Sequence, residues 1–297
     1  MSALVSGIPV VSADAWTSYK LLDCADGLKL EQFGEYTLLR PEPQAIWSGP
    51  KHIELQAHHA RFTGDSPSTG HWRQHKPVPE RWNIRYTSEQ LNLQFRLALT
   101  SFKHVGLFPE QAANWEFAAA QVRRFPADRR KVLNLFAYTG GASLAAAQAG
   151  ATVTHVDSVK QVVNWAGENA KLNGIENIRW IVDDAVKFVQ REIRRGNTYQ
   201  GIILDPPAYG HGPNGEKWKL EEQIDSLVGA VAQLLDPEFH FLVLNTYSLG
   251  FSALITDNLL KRHMPASDRT IAEIAVRADS GVVLPLGVVG RLSSLRG

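Results

Sequence analysis

A single cysteine, Cys24, in 297 residues removes two options: no intrachain disulfide can form, and no thiolate cage can hold a metal. A reducing, cytoplasmic setting is the matching expectation. Charge of one sign is also missing. Lys+Arg total 31 against Asp+Glu 30, a formal net charge of +1, so no global basic field draws in nucleic acid. Long apolar runs are scarce. The longest uncharged stretch, Val132 to Val156, is broken by Asn134, Thr139, Gly140, Gly141, Gln148, Gly150, Thr152 and Thr154, which spoils it as a lipid-facing helix. The segment Met1 to Tyr19 lacks a basic stretch and carries Asp14, so no export leader is expected there. What is present is enough for a core. A hydrophobic content of 44%, with eight tryptophans, excludes a disordered chain and suits one large or two modest domains.

The chain changes character near residue 104. Before it, short strands are expected at Tyr19 to Leu22, Tyr36 to Arg40, Ile53 to Ala57, Trp82 to Tyr86 and Leu91 to Leu97, punctuated by Gly, Pro and Asp. Thr63 to Pro79 is polar, with Pro67, Pro77 and Pro79, and reads as a surface loop. Residues 1–103 are therefore expected to form a small β-rich domain, and 104–297 a second one. Between Lys51 and Lys103 eight basic residues face four acidic ones, interleaved with Trp72, Trp82 and five histidines. Basic charge among aromatics suits a single-stranded nucleic-acid surface, and a solvated loop with incidental histidines is the plainer alternative. A zinc site from His58, His59, His71 and His75 needs His71 and His75 on one helix face. It lacks cysteine or acidic partners, so no metal is expected.

After residue 104 the rhythm is strand, turn, helix. Apolar strands are expected at Lys131 to Phe136, Thr152 to Val156, Ile178 to Val182, Gly201 to Leu204 and Phe239 to Leu244. Helices are expected at Ala142 to Ala149, Val159 to Leu172, Ala185 to Arg194 and Leu220 to Leu235. Such alternation calls for a parallel sheet covered on both faces. Ile271 to Ala278 and Val282 to Val289, separated by Asp279-Ser280-Gly281, read as a closing hairpin.

Ligands of open α/β sheets sit at the carboxyl ends of the strands, so the strand tips are the residues to weigh. The first turn, Phe136 to Ser143, has two adjacent glycines, Gly140 and Gly141, but no G-x-G-x-x-G phosphate fingerprint. Alone it reads as a tight strand-to-helix turn. The second strand ends in Asp157, where a carboxylate can accept both hydroxyls of a ribose. The third ends in Asp183-Asp184, with Asp184 either an acceptor for an adenine amino group or a helix N-cap. These tips fit a nucleoside without phosphates, of which S-adenosylmethionine is one. The fourth strand ends in Asp205-Pro206-Pro207-Ala208-Tyr209. Two prolines remove two backbone donors and leave an acceptor-rich edge beside the Tyr209 ring, which suits a flipped base presenting an amino group.

From Asn134-Leu135-Phe136 through Asp157, Asp184 and Asp205-Pro206-Pro207, the chain resembles a class I S-adenosylmethionine-dependent methyltransferase. More narrowly, it is similar to the bacterial large-subunit rRNA methyltransferases of cytosine-C5 and guanine-N7 type. Lys103-His104-Val105-Gly106-Leu107-Phe108-Pro109-Glu110-Gln111 is similar to that family's entry motif, and Asn169 to Gly174 and Ser280 to Pro285 match its pattern. The resemblance implies a Rossmann-like sheet with a C-terminal antiparallel hairpin behind a small β domain. It implies S-adenosylmethionine as cofactor and RNA as partner. Phe136, Tyr138, Gly140 and Gly141 would line the methionine end. Asp157 and the adjacent Ser158 would hold the ribose and Asp184 the adenine, with Phe108 and Gln111 closing the pocket. Asp205, Pro206, Pro207 and Tyr209 would orient the base. Cytosine-C5 members would carry a nucleophilic cysteine just after the fifth strand. This chain has Asn245-Thr246-Tyr247-Ser248 there, so transfer to a nitrogen is expected. A nicotinamide-dependent oxidoreductase and a non-catalytic RNA-binding protein are the alternatives.

Overall fold

The computed structural model describes residues 3–5, 8–49, 53–66, 69–247, 250–265 and 267–295. Two units divide the chain: Met1–Val11, Gln111–Ile274 and Gly287–Gly297 form one, and Ser12–Glu110 with Ala275–Leu286 the other. Short strands β1 (Ala3–Val5) and β2 (Ile8–Val11) belong to the first unit.

The second unit is β-rich. A five-stranded sheet runs in chain order through β3 (Tyr19–Ala25), β4 (Leu28–Phe33), β5 (Tyr36–Pro41), β6 (Ala60–Ser66) and β7 (Thr69–Gln74). The hairpin of β8 (Trp82–Thr87) and β9 (Asn92–Leu97) forms a separate two-stranded sheet. On β8 strict alternation buries Trp82, Ile84 and Tyr86 and turns Asn83, Arg85 and Thr87 to solvent. Two expectations fail here. Ile53 to Ala57 is not a strand: Ile53–Leu55 is a single 3₁₀ turn. Ile53 anchors it against Leu30 and Leu39, while Leu55 projects outward, 79% exposed, with no strand to pair. The polar stretch from Thr63 is not one loop either, because β6 and β7 pair in it. That hairpin is held by one aromatic cross-strand pair, Phe62 and Trp72, with ring centres 5.5 Å apart. Gly70 makes room for it, since a Cβ there would lie 2.6 Å from the Phe62 ring. His71 therefore sits on a strand, which removes the helix face a zinc site with His75 needed. Among the described residues no group of three or more His, Cys, Asp or Glu could hold a metal ion.

The first unit carries the alternating part. Helix α1 (Ala112–Arg124) precedes β10 (Lys131–Leu135), α2 (Gly141–Gln148), β11 (Thr152–Asp157), α3 (Lys160–Leu172), β12 (Ile178–Val182), α4 (Ala185–Arg194) and β13 (Gly201–Leu204). A small hairpin, β14 (Tyr209–His211) and β15 (Lys217–Lys219), leads to α5 (Leu220–Ala232), β16 (Phe241–Thr246), α6 (Ala253–His263), β17 (Asp268–Arg277) and β18 (Val283–Ser293). The sheet order is β1-β2-β17-β18-β16-β13-β10-β11-β12. Its centre is parallel, and β18 joins β16 antiparallel. This is the expected Rossmann-like sheet with an antiparallel end. Strands β13 and β16 are buried along their whole length, as burial of both faces requires. Leu135, Ile202, Leu204, Phe188 and Leu227 share one cluster between the sheet, α4 and α5. No described helix is long and apolar enough to cross a membrane.

Candidate active site

Chain order along the sheet reverses direction between β10 and β13, whose last residues Leu135 and Leu204 are register partners. The switch point that opens a ligand crevice therefore lies between Phe136 and Asp205.

The turn after β10 holds an unusual backbone. Phe136 and Tyr138 have φ of 56° and 50°, and Gly140 one of 92°. Left-handed geometry at two non-glycine residues costs about 1–3 kcal/mol each and gathers at functional loops. Internal bonds hold the turn. The Tyr138 amide donates to Asp157 Oδ2 at 2.9 Å. The Asn169 side chain, fully buried, donates to the Thr139 carbonyl at 3.0 Å. Beneath, Asn134 donates to Ser143 Oγ at 2.9 Å, and Ser143 lies 3.0 Å from His155 Nδ1. The two glycines have packing reasons. A Cβ on Gly141 would stand 2.5 Å from the Trp115 ring, and one on Gly140 3.2 Å from Ala166. Their bare faces are filled by the protein itself.

Asp157 ends β11 with both carboxylate oxygens on backbone amides, Oδ1 accepting from Val159 at 2.9 Å and Oδ2 from Tyr138. Among the described residues it has no cationic partner. Burial lifts its carboxyl above the ordinary 3.8, and the bonds from Val159, Tyr138 and Ser158 oppose that rise. A carboxylate offers about four lone-pair directions, and the three amide bonds leave part of that capacity for hydroxyls of a ligand. The Asp157 carbonyl accepts the Asp183 amide at 3.0 Å, which ties the tips of β11 and β12 together. Asp183 pairs with Arg191. Asp184 caps α4, its Oδ1 accepting the Lys187 amide at 2.9 Å.

At the tip of β13, Asp205 and Pro206 are sheltered while Pro207 is exposed. Two carbonyls of the expected acceptor edge are engaged: Pro207 accepts Trp218 Nε1 at 2.6 Å, and Ala208 accepts the Leu220 amide at 3.0 Å. Tyr209 is 53% exposed, with its hydroxyl 3.1 Å from His211 Nε2. The β14–β15 hairpin reaches along the strand tips. Ser158 Oγ donates to the His211 carbonyl at 3.0 Å, Lys187 pairs with Glu216, and Trp218 packs on Phe136 with ring centres 5.0 Å apart.

Thus Phe136, Tyr138, Gly140, Gly141, Asp157, Ser158, Asp184, Asp205, Pro206, Pro207 and Tyr209 share one edge of the sheet. Gln111 joins it at the start of α1 through Asn245, the penultimate residue of β16, at 3.0 Å. Phe108 belongs to the other unit, where its ring lies 5.0 Å from that of His104. Sequence reasoning missed Trp115, Asn114 and the hairpin. It named Asn134, Ser143 and Asn169 only as parts of quoted runs and gave them no role of their own. Of the segment Asn245 to Ser248, Ser248 lies outside the described residues.

A Rossmann-like sheet whose second strand tip is an amide-bound carboxylate, with no phosphate loop on the first turn, defines a nucleoside-binding α/β enzyme of the class I methyltransferase type. The sequence comparisons narrow this. A profile of the S-adenosylmethionine-dependent methyltransferases matches residues 31–258, and the chain belongs to that family. It is an enzyme whose cofactor is S-adenosylmethionine, and the dinucleotide alternative is set aside. A SAM-dependent methyltransferase of Agrobacterium tumefaciens, of solved structure, is 38% identical, with a TM-score of 0.87 over 96% of this chain and 93% of that one. The ribosomal RNA large subunit methyltransferase K/L of Shewanella frigidimarina is 30% identical over 179 residues, 58% of this chain and 24% of that protein. Its counterpart in Shewanella sp. strain W3-18-1 is 29% identical over 251 residues, 82% and 31%. The chain thus spans about a quarter to a third of the length of these relatives.

Proposed function

We propose that this enzyme methylates a nitrogen of a base in ribosomal RNA, in the cytoplasm, without a covalent cysteine adduct. The observation that carries the reading is the Asp205-Pro206-Pro207 tip at the switch point, on the same sheet edge as Asp157, in a chain with no thiol there. The one cysteine, Cys24, is buried in β3 of the other unit, and burial pushes its thiol up to about 12. A thiol held protonated cannot add to a pyrimidine ring.

S-adenosylmethionine supplies, when bound, a methyl group on a sulfonium that a lone pair can attack in line. The residues do the rest. Asp157 accepts the ribose hydroxyls, with Ser158 beside it, and Asp184 receives the adenine amino group on the oxygen its helix cap leaves over. Phe136, Tyr138, Gly140 and Gly141 border the methionine end, with Gln111 closing the pocket. Asp205 accepts an N–H of the target base, fixes the nitrogen lone pair along the line of transfer, and takes the proton released as the new N–C bond forms. Pro206 and Pro207 keep competing backbone donors away, and Tyr209 offers its ring to the base. Positioning and exclusion of water carry the rate, because a held near-attack geometry can supply several kcal/mol. The second unit's contact with RNA is assigned to the polar outer face of β8, with Asn83, Arg85 and Thr87, because it sets arginine beside hydrogen-bonding groups.

Methyl-labelled S-adenosylmethionine with protein-free rRNA, followed by nucleoside mass spectrometry, tests this. Label on a base nitrogen, lost at least a hundredfold in Asp205→Ala, is expected. Label at cytosine carbon 5, or none on rRNA while another substrate accepts it, contradicts it.

A further inference from the structure

We propose that Arg291 fixes which end of the Gln111 amide faces the cofactor, acting through Asn114 and Asn245; the assignment rests on the reading that Gln111 closes the cofactor pocket. Arg291 lies on β18 opposite Val243 of β16. Its Nε and Nη2 both donate to Asn114 Oδ1, at 2.9 and 2.6 Å, and its guanidinium lies 5.0 Å from the Phe117 ring centre. Among the described residues no carboxylate pairs with it. An arginine can only donate, so the Asn114 oxygen must face it. The opposite orientation would set two donors against an NH₂ group.

From there the polarity runs one way. Asn114 is 2% exposed, and its Nδ2 donates to Gln111 Oε1 at 2.8 Å and to Asn245 Oδ1 at 2.9 Å. Asn245 is also 2% exposed. With its oxygen committed to Asn114, its Nδ2 donates to Gln111 Oε1 at 3.0 Å. Two donors on one oxygen pin the Gln111 amide, and its Nε2 is turned away from this cluster as a donor. No protein acceptor takes that Nε2 among the described residues. A cation without a counter-ion is costly to shelter, and a four-residue chain of bonds from it reaches one donor at the start of α1. Arg291, Asn114 and Asn245 are positioning residues, and Gln111 is the group that meets the ligand.

Asn114→Asp separates this role from a structural one. The aspartate keeps the size of asparagine and gives Arg291 a better acceptor, but it cannot donate to Gln111 or Asn245. Calorimetric titration with S-adenosylhomocysteine should show Asn114→Asp binding about five- to tenfold more weakly, the loss of one oriented hydrogen bond. Its melting temperature should stay level or rise. Wild-type affinity in Asn114→Asp would overturn the proposal. Arg291→Met supplies a second measurement that tolerates some loss of stability. Its affinity loss should vanish in a Gln111→Ala background, and an equal loss in both backgrounds would also overturn the proposal. If Gln111→Ala binds normally while Asp157→Ala does not, Gln111 does not meet the cofactor and the proposal falls alone. If neither variant loses affinity, the underlying site reading falls with it.

Discussion

Two sheltered carboxylate clusters, one in each unit, are satisfied in opposite ways. In the β-rich unit, Glu31 is 1% exposed and accepts Arg40 Nε at 2.7 Å, and Glu42, equally buried, pairs with Lys29 at 3.2 Å. Both of these negative charges are cancelled by a cation, and Tyr19 adds a hydroxyl on Glu31 at 3.1 Å. In the α/β unit, Asp157 receives backbone amides and, among the described residues, no cation. The first arrangement is closed, since its carboxylates are paired with Arg40 and Lys29. The second keeps a net negative tip with unused lone pairs beside a strained turn. Charge cancelled by charge builds a core, whereas charge held by amides builds a site.

Breaking the closed arrangement should have the largest effect on stability. Arg40→Met strands Glu31 and should cost about 3 kcal/mol or more, read as a fall in denaturant midpoint. Replacing both partners, Arg40→Met with Glu31→Leu, should recover most of that loss, and a double variant no more stable than the single one would deny that the pair is self-contained. The smallest effect should come from Cys24→Ala. That change removes a buried sulfur at about 1 kcal/mol and leaves methyl transfer per folded molecule unchanged. Loss of transfer in a folded Cys24→Ala protein would restore a covalent route.

How much of this was legible follows the same division. The α/β unit announced itself because apolar runs such as Gly201–Leu204, followed at once by Asp205-Pro206-Pro207, alternate with helical stretches, and α4 fell on its expected limits. Helix α1 did not, because it grows from a 3₁₀ turn at Pro109–Gln111 and its first residue has no capping side chain. In the β-rich unit, β4 was unreadable for an electrostatic reason. Lys29 and Glu31 are both buried in it, so charges sit where alternation expects apolar residues. At the site, Asp157 and the Asp205-Pro206-Pro207 tip were found from residue type at a strand end. The positive φ of Phe136 and Tyr138 left no signal, since neither residue is one that favours that geometry. The Arg291 chain was equally hidden, because its members are 111, 114, 245 and 291 and only the folded sheet brings them together.

The central claim is that the amide-held Asp157 carboxylate grips the cofactor's ribose, and calorimetric titration of S-adenosylhomocysteine against pH tests it most directly. Binding needs the ionised carboxylate, and burial holds its pKa above the ordinary 3.8. Wild-type affinity should therefore fall on acidification before the pH at which an ordinary aspartate takes up its proton. Asp157→Ala should bind about a hundredfold more weakly at neutral pH, the scale of hydrogen bonding to a charged acceptor, and should lose this acid limb. An Asp157→Ala protein with wild-type affinity and the same acid limb would contradict the account.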